Sequence, residues 1–255
     1  MPIRSVLINV VDLDASIDFY TRFLDLEVQS RGKQEAVLDA VAATIRLVRV
    51  APGSSGFVAD DLQAGFRHIG FKVADIDARV AMLKDAGVRF HLEPIHAEGD
   101  VELTFFYDPD GTLLELVEGA LQYHEVYDRD LVEQDWALGD PTRPRFDHVA
   151  ETVHDLDATE RYFGQLGFVR MSGIHQPNDP RGYEIDFLRD GDASLEIFTF
   201  SGADTVRRVP EVAAPGFAAV EFTGAAPSEA TPVGEVGGVS VYSDRDGLVH
   251  AVTAP

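Results

Sequence analysis

The chain has 255 residues, enough for one large domain or two small ones, and its 45% hydrophobic content provides for a sizeable core. It holds no cysteine, which excludes disulfides, thiolate metal sites and cysteine nucleophiles. With 44 acidic against 21 basic residues the net charge is −23; this opposes nucleic-acid binding, which needs Lys and Arg to neutralise phosphates, and suits solubility.

The opening MPIRSVLINV lacks the long apolar core of a signal peptide, and no apolar run reaches the roughly 18 residues of a membrane span. The expectation is a cytoplasmic protein, monomer or homodimer, with no membrane or nucleic-acid partner.

In chain order, the first strand signal leads into INVVDLDASIDFYTRFLDLEV. An alternating apolar stretch meets Asp12, and Ile17, Phe19, Tyr20, Phe23 and Leu24 follow at helical spacing. The phrase returns as FRHIGFKVADIDA at 66–78 and as FDHVAETVHDLDA at 146–158. Aligned on Asp12, Asp75 and Asp155, each copy reads as a strand, an Asp-started helix and about three short strands. Gly87 and Gly167 stand where two of the helices stop. YDPDGTLLELVEG closes the second copy and LRDGDASLEIFTF the third. A fourth copy shows in GFAAVEFTG and VYSDRDGLVHAVTAP. Between them TGAAPSEATPVGEVGG is too rich in Pro and Gly to keep a helix. The organisation expected is modules one and two over 1–118, a linker over 119–145, and modules three and four over 146–255.

Two positions differ in chemistry among the copies. Seven residues before the central aspartate stand Ser5, His68 and His148, then about Ala219 in the fourth copy. In the closing strand stand Arg46, Glu115 and Glu196, then Ala251 or, one residue off, His250. Only copies two and three carry both a His and a Glu. Strand parity puts His68 with Gly70 and Lys72, and His148 with Ala150 and Thr152, on faces small or polar enough to leave room for a ligand. Ile69, Phe71 and Val73 form the opposite, core face; Glu151 breaks that pattern in the third copy. A strand His alone is commonly a hydrogen-bonded core residue, and a Glu in an LEL run is commonly on the surface. Two His-plus-Glu pairs at matched positions point instead to metal binding, because a carboxylate between core-facing apolar residues is costly unless paired or metal-bound.

At these residues the chain resembles the vicinal oxygen chelate superfamily, which includes glyoxalase I, bleomycin-resistance proteins and extradiol ring-cleaving dioxygenases. The resemblance spans about residues 1–200 well and 215–255 weakly. It implies an α+β fold of four βαβββ modules, the fourth truncated, forming two cup-shaped half-open barrels. It further implies that modules two and three share the cup in which His68, Glu115, His148 and Glu196 hold one metal, while modules one and four form a degenerate cup.

Two His and two Glu suit one divalent transition metal, Zn, Ni, Co, Mn or Fe, without choosing among them. Such an ion chelates vicinal oxygens of a small molecule and stabilises charge formed when a proton leaves the carbon beside a carbonyl. By resemblance to glyoxalases Glu115 is the expected base, giving a lyase, isomerase or epimerase. An Fe(II) extradiol dioxygenase is the alternative, against which the second glutamate counts. A non-enzymatic binding or resistance protein is a further alternative, which would not need the His/Glu pairs. Lys72, Thr152 and Phe198, with His175, Gln176, Arg181 and Tyr183 of the turn-rich IHQPNDPRGYEI, are candidate substrate contacts.

Overall fold

Alternation makes strands of the repeat phrases, and the aspartate after each strand starts a helix. In the computed structural model, which describes residues 3–97 and 99–254, module one is β1 (Ile3–Val10), α1 (Leu13–Leu24), β2 (Glu27–Arg31), β3 (Glu35–Asp39) and β4 (Thr44–Arg49). Module two is β5 (Gln63–Lys72), α2 (Ile76–Asp85), β6 (Phe90–His96), β7 (Glu102–Tyr107) and β8 (Leu113–Glu118). The segment expected as a plain linker carries a short strand, β9 (Glu125–Val126), and a helix, α3 (Arg129–Leu138). Module three is β10 (Arg145–Thr152), α4 (Leu156–Gly164), β11 (Val169–His175), β12 (Tyr183–Asp190) and β13 (Ala193–Phe200). After β14 (Val206–Arg207), module four is all strand among its described residues: β15 (Gly216–Thr223), β16 (Thr231–Val236), β17 (Val239–Ser243) and β18 (Val249–Thr253).

The helix starts are not equivalent. Asp12 accepts from the amides of Asp14 and Ala15, and Asp155 accepts from Ala158, as N-caps should. Asp75 makes no such bond. It pairs with Arg79 at 2.6 Å, and Glu118 takes the Ile76 amide at 2.8 Å instead.

Two mixed sheets result. One runs β16-β17-β18-β15-β1-β4-β3-β2, the other β6-β7-β8-β5-β10-β13-β12-β11-β9, with β14 added on β5. In every module the first and last strands lie side by side and parallel: β1 with β4, β5 with β8, β10 with β13, β15 with β18. The modules then meet through antiparallel first strands, β5 against β10 and β1 against β15. Modules two and three are thus halves of one sheet, and modules one and four halves of the other. Neither sheet closes into a barrel.

The helices and the backs of both sheets enclose one core, in which Val6, Ile8, Tyr20, Ile69, Phe71, Val149, Phe163 and Phe222 are fully buried. Burial of each such side chain contributes about 1.5–3 kcal/mol. Phe66 of one sheet stacks on Phe217 of the other, centroids 3.7 Å apart. Among the described residues no helix is long and apolar enough to cross a membrane.

Candidate metal centre

Period-two alternation alone would aim His68 and Arg67 to opposite faces. The β5–β10 register prevents this. Between the pairs Val149↔Ile69 and Glu151↔Phe66, β5 holds one residue more than β10; between Phe146↔Phe71 and His148↔Gly70, β10 holds one more than β5. Each is a β-bulge, which re-aims a side chain. Arg67 beside His68, and Asp147 beside His148, therefore both line the cup.

From β5 and β10 the two imidazoles converge, their Nε2 atoms 3.0 Å apart. The last strands bring the carboxylates: Glu115 from β8 lies opposite Gly70, and Glu196 from β13 opposite Ala150. Oε2 of Glu115 is 3.0 Å from His148 Nε2 and 3.3 Å from His68 Nε2. Oε2 of Glu196 is 3.1 Å from His68 Nε2 and 3.3 Å from His148 Nε2. All four residues are buried, and Glu115 Oε2 has no hydrogen-bond donor aligned on it. Two imidazole nitrogens pointed at each other and at two carboxylates make a nest of lone pairs, the arrangement a cation relieves. The spacing fits as well: donors about 2.0–2.1 Å from a shared ion lie about 3.0–3.4 Å from their neighbours.

Charges around the four hold Glu115 and Asp147 ionised. Burial alone would raise Glu115, but His68 and His148 hold it down at about 2. Burial would lower the His148 imidazolium; Glu196, Asp147 and Glu115 outweigh it and raise that group well above the ordinary histidine value. Asp147 accepts from His148 Nδ1 at 2.9 Å, which fixes the ring and leaves Nε2 for the centre. Its own burial would raise it, yet His148, Lys72 and Arg145 keep it at about 2. His68 is instead walled by the edges of Phe105 and Phe198, centroids 4.9 and 6.0 Å away.

The four residues open into a cavity of about 830 Å³. Of the candidate substrate contacts, Lys72, Gln176, Arg181, Tyr183 and Phe198 line it. Thr152 and His175 do not. The Thr152 hydroxyl is engaged with Arg67 and the Asp61 carbonyl, and His175 lies between Glu125 and Glu184 at the surface. Sequence reasoning missed Arg67, which stacks 4.0 Å over Phe198 and binds Asp61. It also missed the wall made by the 119–145 segment, where Leu121, Tyr123, Asp135 and Trp136 line the cavity. The alternating charge of that segment gave no hint of a wall; Asp next to His in FDH was the available signal for Asp147.

The other cup lacks these groups. Ser5, Arg46, Ala219 and Ala251 take the ligand positions; the β15–β18 register sets Ala251, not His250, opposite Glu221. His250 faces the core, with Nε2 3.0 Å from the Tyr162 hydroxyl. Arg46 binds Glu35 at 2.8 Å and the Gly237 carbonyl at 3.0 Å. Leu7, Val48, Val241 and Ala251 cluster there with Val212 packed on them, and Asn9 Nδ2 donates to the carbonyls of Val212 and Ala214 at 2.9 Å each. The chain fills this cup with itself.

Residues 3–116 match the family model described as Glyoxalase/Bleomycin resistance protein/Dioxygenase superfamily. A probable lactoylglutathione lyase of Arabidopsis thaliana, chloroplastic, is 29% identical over 124 residues, 44% of this chain and 34% of that protein. This chain thus spans about a third of that relative's length. A probable lactoylglutathione lyase of Vibrio parahaemolyticus is 29% identical over 128 residues, 46% of this chain and 89% of that one. The fold is similar to the crystal structure of glyoxalase I from Zea mays, with TM-score 0.67 and 18% identity, over 98% of this chain and 91% of that one.

Proposed function

We propose, from the match of residues 3–116 to the Glyoxalase/Bleomycin resistance protein/Dioxygenase superfamily, that this chain is a metal-dependent cytoplasmic enzyme that moves a proton beside a carbonyl in a small molecule with vicinal oxygens. The observation that carries the reading is the meeting of two His and two Glu at the head of a cavity. His68, Glu115, His148 and Glu196 would hold one divalent transition metal, which supplies Lewis acidity toward two neighbouring substrate oxygens.

Glu115 is the base. It accepts the proton at a carboxylate oxygen as the C–H bond breaks, and the electron pair left behind moves onto the carbonyl oxygen. Returning that proton to the former carbonyl carbon, as the hydroxyl proton of the neighbouring carbon passes to the new oxyanion, completes an isomerisation or lyase step. Asp147 keeps His148 oriented. Phe105, Phe198 and Tyr183 shed water from the reacting centre, and Lys72 and Arg181 are positioned along the cavity to meet polar ends of the substrate.

The test is solvent-deuterium exchange at the carbon beside the carbonyl, over a panel of α-hydroxycarbonyls and the hemithioacetal of glutathione and a 2-oxoaldehyde, with oxygen uptake recorded in parallel. Exchange without oxygen uptake is expected with at least one compound. Stoichiometric oxygen consumption with a catechol, and no exchange, would establish a dioxygenase in its place.

A further inference from the structure

The even-numbered modules end in matching turns, DPDG at 108–111 and DRDG at 244–247, but the two turns are satisfied differently. In the first, every carboxylate oxygen has a donor. Asp108 Oδ1 accepts from the amides of Asp110 (3.0 Å) and Thr112 (2.7 Å), and Oδ2 from the Tyr20 hydroxyl at 2.8 Å. Asp110 Oδ1 accepts from the Val11 amide at 2.8 Å and Oδ2 from Ser16 Oγ at 3.0 Å.

In the second turn Asp244 Oδ1 again takes backbone amides, from Asp246, Gly247 and Leu248, and Asp246 Oδ1 takes the His154 amide and Nδ1. Neither hydroxyl contact recurs. Phe163 stands at the repeat position of Tyr20, and Thr159, at that of Ser16, meets the Asp155 carbonyl alone, where Ser16 Oγ reaches both the Asp12 carbonyl and Asp110. At the repeat position of Ile8 stands Glu151, fully buried, on the face of β10 that packs into the core. Two donors have been lost and a carboxylate gained.

Three buried oxygens are left without a donor: both of Glu151 and Oδ2 of Asp246. One oxygen from each of Glu151, Asp244 and Asp246 lies within 4.8 Å of the other two. Among the described residues no charged neighbour relieves them. Arg207 reaches Ser243 and the Asp244 carbonyl, Arg245 reaches Asp155, the Tyr162 hydroxyl meets His250, and His154 meets the other oxygen of Asp246 and the Thr205 carbonyl. Burial, with the charges of Asp244 and Asp246, pushes Glu151 far above the usual carboxylate range. Either a proton or a cation must stand among them. One proton between Glu151 and Asp244 would leave the second Glu151 oxygen and Asp246 Oδ2 still bare, and a buried polar atom without a partner is destabilising. A cation reaches all three.

We propose that Glu151, Asp244 and Asp246 form a second cation site, for a hard, oxygen-seeking divalent ion such as Ca²⁺, Mg²⁺ or Mn²⁺, which fastens the last turn of module four to the sheet of modules two and three. It is independent of the His/Glu centre, whose nitrogen donors suit transition metals. The ion replaces the two hydroxyl donors that hold the matching turn.

The test uses the full chain, stripped with EDTA and melted with and without added Ca²⁺, with Mn²⁺ binding counted by electron paramagnetic resonance. Ca²⁺ should raise the melting temperature of the wild type by several degrees, since an ion that binds only the folded state stabilises it. Glu151→Gln and Asp246→Asn should lose that response and bind one Mn²⁺ fewer per chain, while keeping the transition metal of the His/Glu centre. The wild-type melting and counting need no variant, so the proposal stays testable if a substitution fails to fold. It is overturned if Ca²⁺ leaves the wild type unmoved, or if Glu151→Gln binds as many Mn²⁺ as the wild type. It is equally overturned if Glu151→Gln melts like the stripped wild type near pH 6 and outlasts it at pH 9, the signature of a shared proton.

Discussion

Gly70 lies directly beneath the imidazole of His148: a Cβ on residue 70 would stand 2.1 Å from Cε1 and 2.4 Å from Nε2 of that ring. No side chain fits there without displacing the ring, and a metal ligand tolerates little displacement. Gly70→Ala should therefore lower transition-metal occupancy sharply while the sheet still forms. Elemental analysis of the purified variant, beside its circular dichroism, checks this. Full occupancy with an unchanged fold would show that His148 is not held to this position.

Asp147 should matter through His148 alone. In Asp147→Asn the amide can keep contact with Nδ1 but no longer carries the charge. A loss of about 10–100-fold in metal affinity is the usual cost of such a change. The fold and the cavity should be unaffected. Competitive chelator titration measures the affinity, and a variant binding as tightly as wild type would leave Asp147 no orienting role.

The four ligands should behave as one unit although they come from two modules. Glu115→Ala and His148→Ala are each expected to abolish tight binding of the same single transition metal, by more than a change behind a ligand would. Their effects should be strongly non-additive, because both side chains contact one ion. Ser5→Ala and Arg46→Ala, at the matching places of module one, should leave that metal in place. Removal of one metal by Glu115→Ala and a different one by His148→Ala would break the shared-centre reading.

The Tyr20–Asp108 pair sets a pH dependence of known sign. Burial lifts Asp108 to about 6 against the pull of the Tyr20 hydroxyl and the Thr112 amide. In the unfolded chain it titrates near about 4. Between those values the folded state holds the extra proton, so the stability this adds is present in acid and is lost as pH rises through about 6. Stability of wild type relative to Asp108→Asn should accordingly fall by on the order of 2–3 kcal/mol from pH 4 to pH 7. Denaturant unfolding at several pH values reads the difference, and a pH-independent gap would contradict the assignment.

The repeat was legible because each copy restates a strand, a capping Asp and a helical stripe. His68 and His148 stood out because the comparison was made between copies, where Ser5 occupies the same place. What composition and period could not convey is register. Arg67 and Asp147 enter the cup only because an extra residue sits in one strand relative to its partner, and that is a property of two strands together. The α3 wall was hidden for a similar reason. Val132 is the buried residue of that helix, so its sequence carries little periodic signal, and its place is fixed by contacts such as Asp135 with Arg189 and Tyr123. Thr152 keeps the cup side of β10 that alternation gives it, but Arg67 and the Asp61 carbonyl take up its hydroxyl behind the cavity wall. Glu151 was visible as a break in the pattern, but its partners lie more than ninety positions away.

The order of pairing has a consequence for how the chain is made. All strands of the β5–β10 sheet from β5 to β13 are complete by Phe200, whereas β1 meets β15 only after Gly216 has emerged. On a ribosome, where upstream segments fold first, the ligand-bearing cup can close while β1 still lacks its β15 neighbour. An open strand flank is a template for pairing with another chain. Of the strand pairings that join modules, that of β1 with β15 spans the most chain, so crowding of nascent chains threatens this flank of β1 for longest.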